Sequence, residues 1–177
     1  VVVESYGTMG GDSKLMDMLC GYAAAHQHPF NVAVHLVGIP VIMLGAFIPM
    51  TWLSFDVLGV AINLAHVTLG AFFAFYLTLD RVFALVFLVF ALMVAELAAA
   101  IGALPRGLAW TASAAAFFGG YALQFIGHAV ERSAPVILKH PVQANLAAPF
   151  FTIVEVFNLL GLRQSLFAEV RTRVGPR

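Results

Sequence analysis

Four long apolar runs leave this chain almost no room for a soluble fold. They cover about Val32–Phe55, Val57–Leu79, Val82–Leu104 and Leu108–Gly127. Each approaches or exceeds the roughly 20 residues that a helix needs to cross a hydrocarbon core of about 30 Å. The first is interrupted by Pro40 and Pro49 and stops at Asp56; the second ends at the Asp80-Arg81 pair. The third carries Glu96 as its one charge and ends at Pro105-Arg106, and the fourth leads into His128, Glu131 and Arg132. Lipid offers the backbone no hydrogen-bond partner, so such runs become helices unless a barrel closes, and the alternation of barrel strands is missing. Composition agrees: 62% of residues are hydrophobic and 10% charged, against roughly 25% charged in soluble domains. The expected fold is all-α, one polytopic membrane domain over residues 1–177 with four transmembrane helices.

Two shorter elements flank the bundle. Residues 12–27 predict an amphipathic helix with Leu15, Leu19, Tyr22 and His26 on one stripe. It ends at His28-Pro29, because a proline disfavours helical geometry in the residue before it, and Asn31 is placed to cap the next helix. After the fourth run, Pro135, Pro141 and Pro149 punctuate a loop, and residues 150–162 read as a short interfacial or re-entrant helix. Gly59, Gly70, Gly119 and Gly120 suit close helix packing. No cationic stretch leads into an early apolar run, which reads as no cleavable signal peptide. Nine Lys+Arg balance nine Asp+Glu, which excludes a nucleic-acid binder. The lone Cys20 excludes a disulfide framework and a multi-cysteine zinc site.

Four crossings place both termini on one side. That side receives Lys14, Arg81, Arg132, Lys139, Arg163, Arg171, Arg173 and Arg177, and the other receives Arg106 alone. An excess of Lys and Arg marks the cytoplasm. Ala/Val-rich spans favour a bacterial inner membrane, although an endoplasmic reticulum protein would show the same pattern. His26, His28, His35, His128 and His140 then all gather at the cytoplasmic face. A proline turn can fold His26 toward His35, and His128 arrives from the far end of the bundle, giving three imidazoles. Glu131 is a candidate fourth ligand. Three imidazoles, or two with a carboxylate, suit a first-row metal with open positions. Tyr22, Asn31, Asp80 and Gln124 are then placed to orient the imidazoles.

His66 and Glu96 fall at similar depth on neighbouring antiparallel spans and are expected to pair, since ionisable groups in a membrane seek partners. Residue chemistry alone leaves open a metal-dependent enzyme, whose metal could be a redox ion or a zinc that hydrolyses a lipid, and a non-enzymatic transporter or scaffold built on His66 and Glu96. The phosphate loop, the nucleophile elbow and the zinc-protease HExxH motif are absent.

The segment Tyr22-AAA-His26-QHPF-Asn31-VAV-His35-LV-Gly38-I-Pro40 resembles the Y-x3-H-x4-N-x3-H-x2-G-x-P signature of the metal-dependent 2-hydroxy fatty acid dioxygenases. That family of small membrane proteins is known from yeast phytosphingosine breakdown. Tyr76-LTL-Asp80, Gln124-FIG-His128 with Glu131 and Pro135, and Pro149-FF with Glu155 extend the likeness over about residues 14–160. The resemblance implies Fe2+ on His26, His35 and His128. It also implies a long-chain 2-hydroxy fatty acid and O2 as substrates, and one-carbon shortening of the acid at the cytoplasmic membrane face. Arg132, with Arg81 or Lys139, would attract the acid's carboxylate. A homo-oligomer is compatible with this reading.

Overall fold

The chain leaves its first long helix at Met50, several residues before the apolar run ends. A computed structural model describes residues 11–175 and shows a mostly helical chain. The N-terminal residues read for a signal segment, and Arg177 in the charge count, lie outside the described residues. The elements are α1 (Gly11–Ala25), α2 (Pro29–Met50), β1 (Ser54–Val57), β2 (Val60–Asn63), α3 (Leu64–Leu77), α4 (Arg81–Gly102), α5 (Arg106–Glu131), α6 (Pro141–Leu159) and α7 (Gln164–Val174), with a 3₁₀ turn at Val136–Leu138 before α6.

Residues 54–63, expected to end one span and open the next, instead pair as an antiparallel hairpin, with Val57 opposite Val60 and Ser54 opposite Asn63. Leu58 and Gly59 both take positive φ, as a two-residue hairpin turn requires. The Asp56 carboxylate accepts from the Gly59 N–H at 2.8 Å. Asn63 then caps α3 by accepting from His66 N–H, while His66 Nδ1 accepts from Asn63 N–H, a reciprocal capping box. Similarly, the cap of α2 falls on His28, whose Nδ1 accepts from Phe30 N–H, and Asn31 lies inside the helix.

Among the described residues, three helices are long and apolar enough to cross a membrane: α2, α4 and α6. At 14 residues, α3 rises only about 21 Å. At 26 residues α5 is long enough, but it is diluted by Ser, Thr and Gly and is not among the three. On α4, Leu85, Val89, Met93 and Leu97 form an exposed stripe, while Ala84, Phe87, Ala91, Ala95 and Ala98 are buried on the other side. Because this stripe is apolar, it suits lipid rather than water.

The α2–α5 pair forms the spine. Small residues recur every seventh position on both: Gly38 and Gly45 on α2, Ser113, Gly120 and Gly127 on α5. The helices run antiparallel, so Gly45 meets Ser113, Gly38 meets Gly120 and Asn31 meets Gly127. A methyl group on Gly45 would lie 2.8 Å from the Ser113 carbonyl oxygen, and Ser113 Oγ donates to the Gly45 carbonyl at 2.7 Å. This is the backbone-close packing that small residues permit between apolar helices. Of the glycines expected to do this, only Gly120 does. Gly70 and Gly119 face open space, and Gly59 makes the hairpin turn.

α6 begins at Pro141, in the stretch expected to be loop. Its contacts follow one end of the bundle. Tyr76 Oη, at the end of α3, donates to the Leu146 carbonyl at 2.7 Å. Phe150 and Phe157 pack on Phe83 in the first turn of α4, and Phe151 stacks on Tyr22 of α1. The helix thereby roofs the end of the bundle where α2 begins and α5 finishes. Beyond it, Arg163 reaches back to Asp80 at 2.7 Å, and α7 packs against α1.

Candidate metal centre

His26 lies just past the end of α1, His35 one turn and a half into α2, and His128 in the last turn of α5. The α1–α2 turn folds the first back over the second, and the glycine-packed spine brings the third to the same level. Their ring centroids are 4.5, 5.1 and 5.0 Å apart. One ring nitrogen from each lies within 4.8 Å of the others. His35 and His128 are buried, and His26 is partly so.

Hydrogen bonds fix which nitrogens face inward. His26 Nδ1 lies 3.1 Å from the Tyr22 carbonyl, and His35 Nδ1 lies 2.9 Å from the Asn31 carbonyl. A carbonyl only accepts, so both Nδ1 atoms carry the proton and both Nε2 atoms present a lone pair. Those two Nε2 atoms face each other at 3.3 Å. His128 Nδ1 is engaged by the Ser133 hydroxyl at 2.9 Å, which leaves its Nε2 free as well. Burial and the neighbouring imidazoles push the His26 pKa down to about 4, so a proton shared between the rings is disfavoured. A shared cation would satisfy the facing lone pairs instead. The donor set therefore fits a metal that accepts imidazole nitrogen, and the outer hydrogen bonds are those that hold ligating histidines in place.

The other expected residues divide sharply. Tyr22 stacks between His26 and Phe151, with centroids at 4.1 and 4.0 Å. Gln124 lies one turn before His128 on the wall of the adjoining cavity. Glu131, read as a fourth ligand, points elsewhere. One oxygen accepts from Gln27 N–H at 2.7 Å and His28 N–H at 3.2 Å, and the other accepts from the Asn31 amide. Burial opposes its ionisation, but these donors hold its carboxyl below the usual range. Glu131 is thus the strap that ties the α1–α2 turn to α5. Asn31 is fully buried with Oδ1 unpartnered.

Asp80 caps α4 and pairs with Arg163, away from the imidazoles. Arg132 ends α5 in a left-handed conformation and is exposed. His66 and Glu96 do meet, at 3.4 Å, but beside the hairpin at the opposite end of the molecule. There His66 Nδ1 serves the α3 cap and Glu96 is exposed, so the expected pair forms on the surface beside the hairpin. Ser133 carries no signal in the sequence, and Phe151 enters there only as part of Pro149-FF. Arg132 turns the chain so that Ser133 N–H bonds the His128 carbonyl, and no local pattern announces that return.

An apolar cavity of about 660 Å3 opens from the imidazoles, within the size range of small-molecule sites. It runs along α2 past Ile39, Met43 and Ala46 to Met50, with Phe72 and Phe75 of α3, Phe87 of α4 and Phe117 of α5 on its walls.

The class defined by this architecture is a helical protein that has, among the described residues, three helices long and apolar enough to cross a membrane and a three-histidine group able to hold a metal ion at the head of an apolar cavity. The chain belongs to the Mpo1-like family, whose model, described as 2-hydroxy-palmitic acid dioxygenase Mpo1-like, matches residues 13–160. No curated protein and no solved structure matches it.

Proposed function

We propose that this chain is an iron(II)-dependent dioxygenase that shortens long-chain 2-hydroxy fatty acids by one carbon at the cytoplasmic face of a membrane. One observation carries the reading: three imidazoles with their outer nitrogens tied converge at the head of an apolar cavity, in a chain of a family described as 2-hydroxy-palmitic acid dioxygenases. His26, His35 and His128 would hold the metal, and a three-ligand set leaves positions for substrate and dioxygen. Iron(II), when bound, supplies the redox chemistry that lets dioxygen react with the 2-hydroxy acid.

The chain's own residues do the rest. The Tyr22 and Asn31 carbonyls keep the proton on the outer nitrogens of His26 and His35 and their lone pairs inward, and the Ser133 hydroxyl engages the outer nitrogen of His128. Gln124, beside His128, offers an amide to the acid's head group. Arg132, exposed at the end of the helix that carries His128, draws the carboxylate in, with Arg81 or Lys139 as the other cations that could do so. The phenylalanine walls take the tail out of water, at about 0.8 kcal/mol per buried methylene. Among the described residues, Arg106 is the one Lys or Arg at the hairpin end and the others lie toward the histidine end, a distribution that supports a cytoplasmic placement of that end.

Oxygen uptake by the detergent-purified protein tests the reading, with ferrous iron and 2-hydroxypalmitic acid. Uptake that needs both the iron and the 2-hydroxyl is the expected result. Uptake with palmitic acid, turnover with zinc in place of iron, or no uptake from an iron-loaded sample overturns it.

A further inference from the structure

We propose that Met50 and Thr68 form the end-stop of an acyl ruler, so that the length of α2 between His35 and Met50 sets the chain length the protein accepts. The inference rests on the lipid acid proposed above and adds the residues that select it. The cavity follows a single face of α2, through Ile39, Met43 and Ala46. Its far end is crossed by the Thr68 hydroxyl, 3.8 Å from the Met50 sulfur, where α3 closes against α2. From His35 to Met50 the helix rises about 22 Å, more than the roughly 15 Å depth of one hydrocarbon leaflet. A head group held at the imidazoles therefore leaves a long tail to lie along α2 until it meets the Met50–Thr68 contact.

Such a channel reads length by contact. Each methylene added inside it is buried and strengthens binding about fourfold, the equivalent of about 0.8 kcal/mol. A methylene beyond the stop gains nothing. Ala46 sits one turn short of the stop and carries the smallest side chain on that face of α2. A bulky residue there shortens the ruler by about 6 Å.

The test measures dissociation constants for a homologous series of straight-chain 2-hydroxy acids, using full-length protein in detergent without added metal. Oxygen uptake with iron is followed in parallel. For the unsubstituted protein, affinity should rise with length and then flatten at a definite break. Ala46→Trp should move that break to shorter acids and Met50→Ala to longer ones. Ala46→Leu, a smaller change in the same direction, serves if tryptophan is not accommodated. A break that is absent, or that stays in place in every variant, overturns the ruler. A break that moves without any oxygen uptake leaves the ruler standing and removes the dioxygenase reading. Oxygen uptake with an unmoved break does the reverse.

Discussion

Glu131 illustrates how a residue can brace a candidate metal centre without touching it. Its carboxylate gathers two backbone N–H groups and the Asn31 amide, and Asn31 in turn supplies the carbonyl that fixes His35. Hydrogen bonds to a charged group contribute about 1.5–3 kcal/mol each. Glu131 is only partly buried, so water replaces much of this in the variant, and Glu131→Ala is expected to lower stability by about 2–3 kcal/mol and to weaken metal binding, read from thermal unfolding and from a metal titration of the same sample. Ser133→Ala leaves the fold alone and frees His128 Nδ1. Losing such an outer partner typically costs about 10–100-fold in metal affinity, and an unchanged dissociation constant would remove Ser133 from the site. At this scale the three histidines were legible in the sequence, because their spacing around a proline turn and at a helix end is a local pattern. The tasks of Glu131 and Ser133 were not, since both depend on the chain returning to a turn about a hundred residues away or folding back through a left-handed Arg132.

Among the elements, the α2–α5 spine sets the distance between His35 and His128. Gly45→Ala puts a methyl group against the Phe117 backbone nitrogen and 2.8 Å from the Ser113 carbonyl oxygen, and backbone cannot step aside as a flexible side chain can. The helices must separate, at about 1–3 kcal/mol, with a parallel loss of metal affinity as the imidazoles spread. Gly119→Ala, which meets nothing within 4 Å, is the matched control and should leave stability unchanged or raise it by up to about 1 kcal/mol. Equal unfolding temperatures for the two variants would sink the spine argument. The apolar runs announced the long helices well. They hid the 54–63 hairpin, because Phe, Val and Ile serve a strand and a lipid-facing helix equally, and only the Leu58-Gly59 turn separates the two. They also hid the first part of α6, where Pro141 opens the helix and Pro149 lies within it, so neither proline marks a loop.

For the whole molecule, the candidate metal centre joins parts that are far apart in the chain. His26 belongs to the α1–α2 turn, His35 to α2 and His128 to the end of α5, and the stack of Tyr22 on Phe151 ties the α6 roof to the same point. A cation held by all three imidazoles binds only the assembled fold, so it stabilises that fold by mass action, about 2.7 kcal/mol when free metal exceeds its dissociation constant 100-fold. Added ferrous iron under anaerobic conditions should therefore raise the unfolding temperature, and a chelator should return it to the starting value. His26→Ala, His35→Ala and His128→Ala should each abolish the metal-dependent increment, since every one removes a ligand. His66→Ala should keep the full increment, because His66 sits at the other end of the molecule on the α3 cap and lowers only the baseline. If the three cluster variants retain the increment, or if His66→Ala alone loses it, the metal is held somewhere other than the imidazole cluster. The α1–α2 turn, the spine and the roof would then be a structural joint without an ion at its centre.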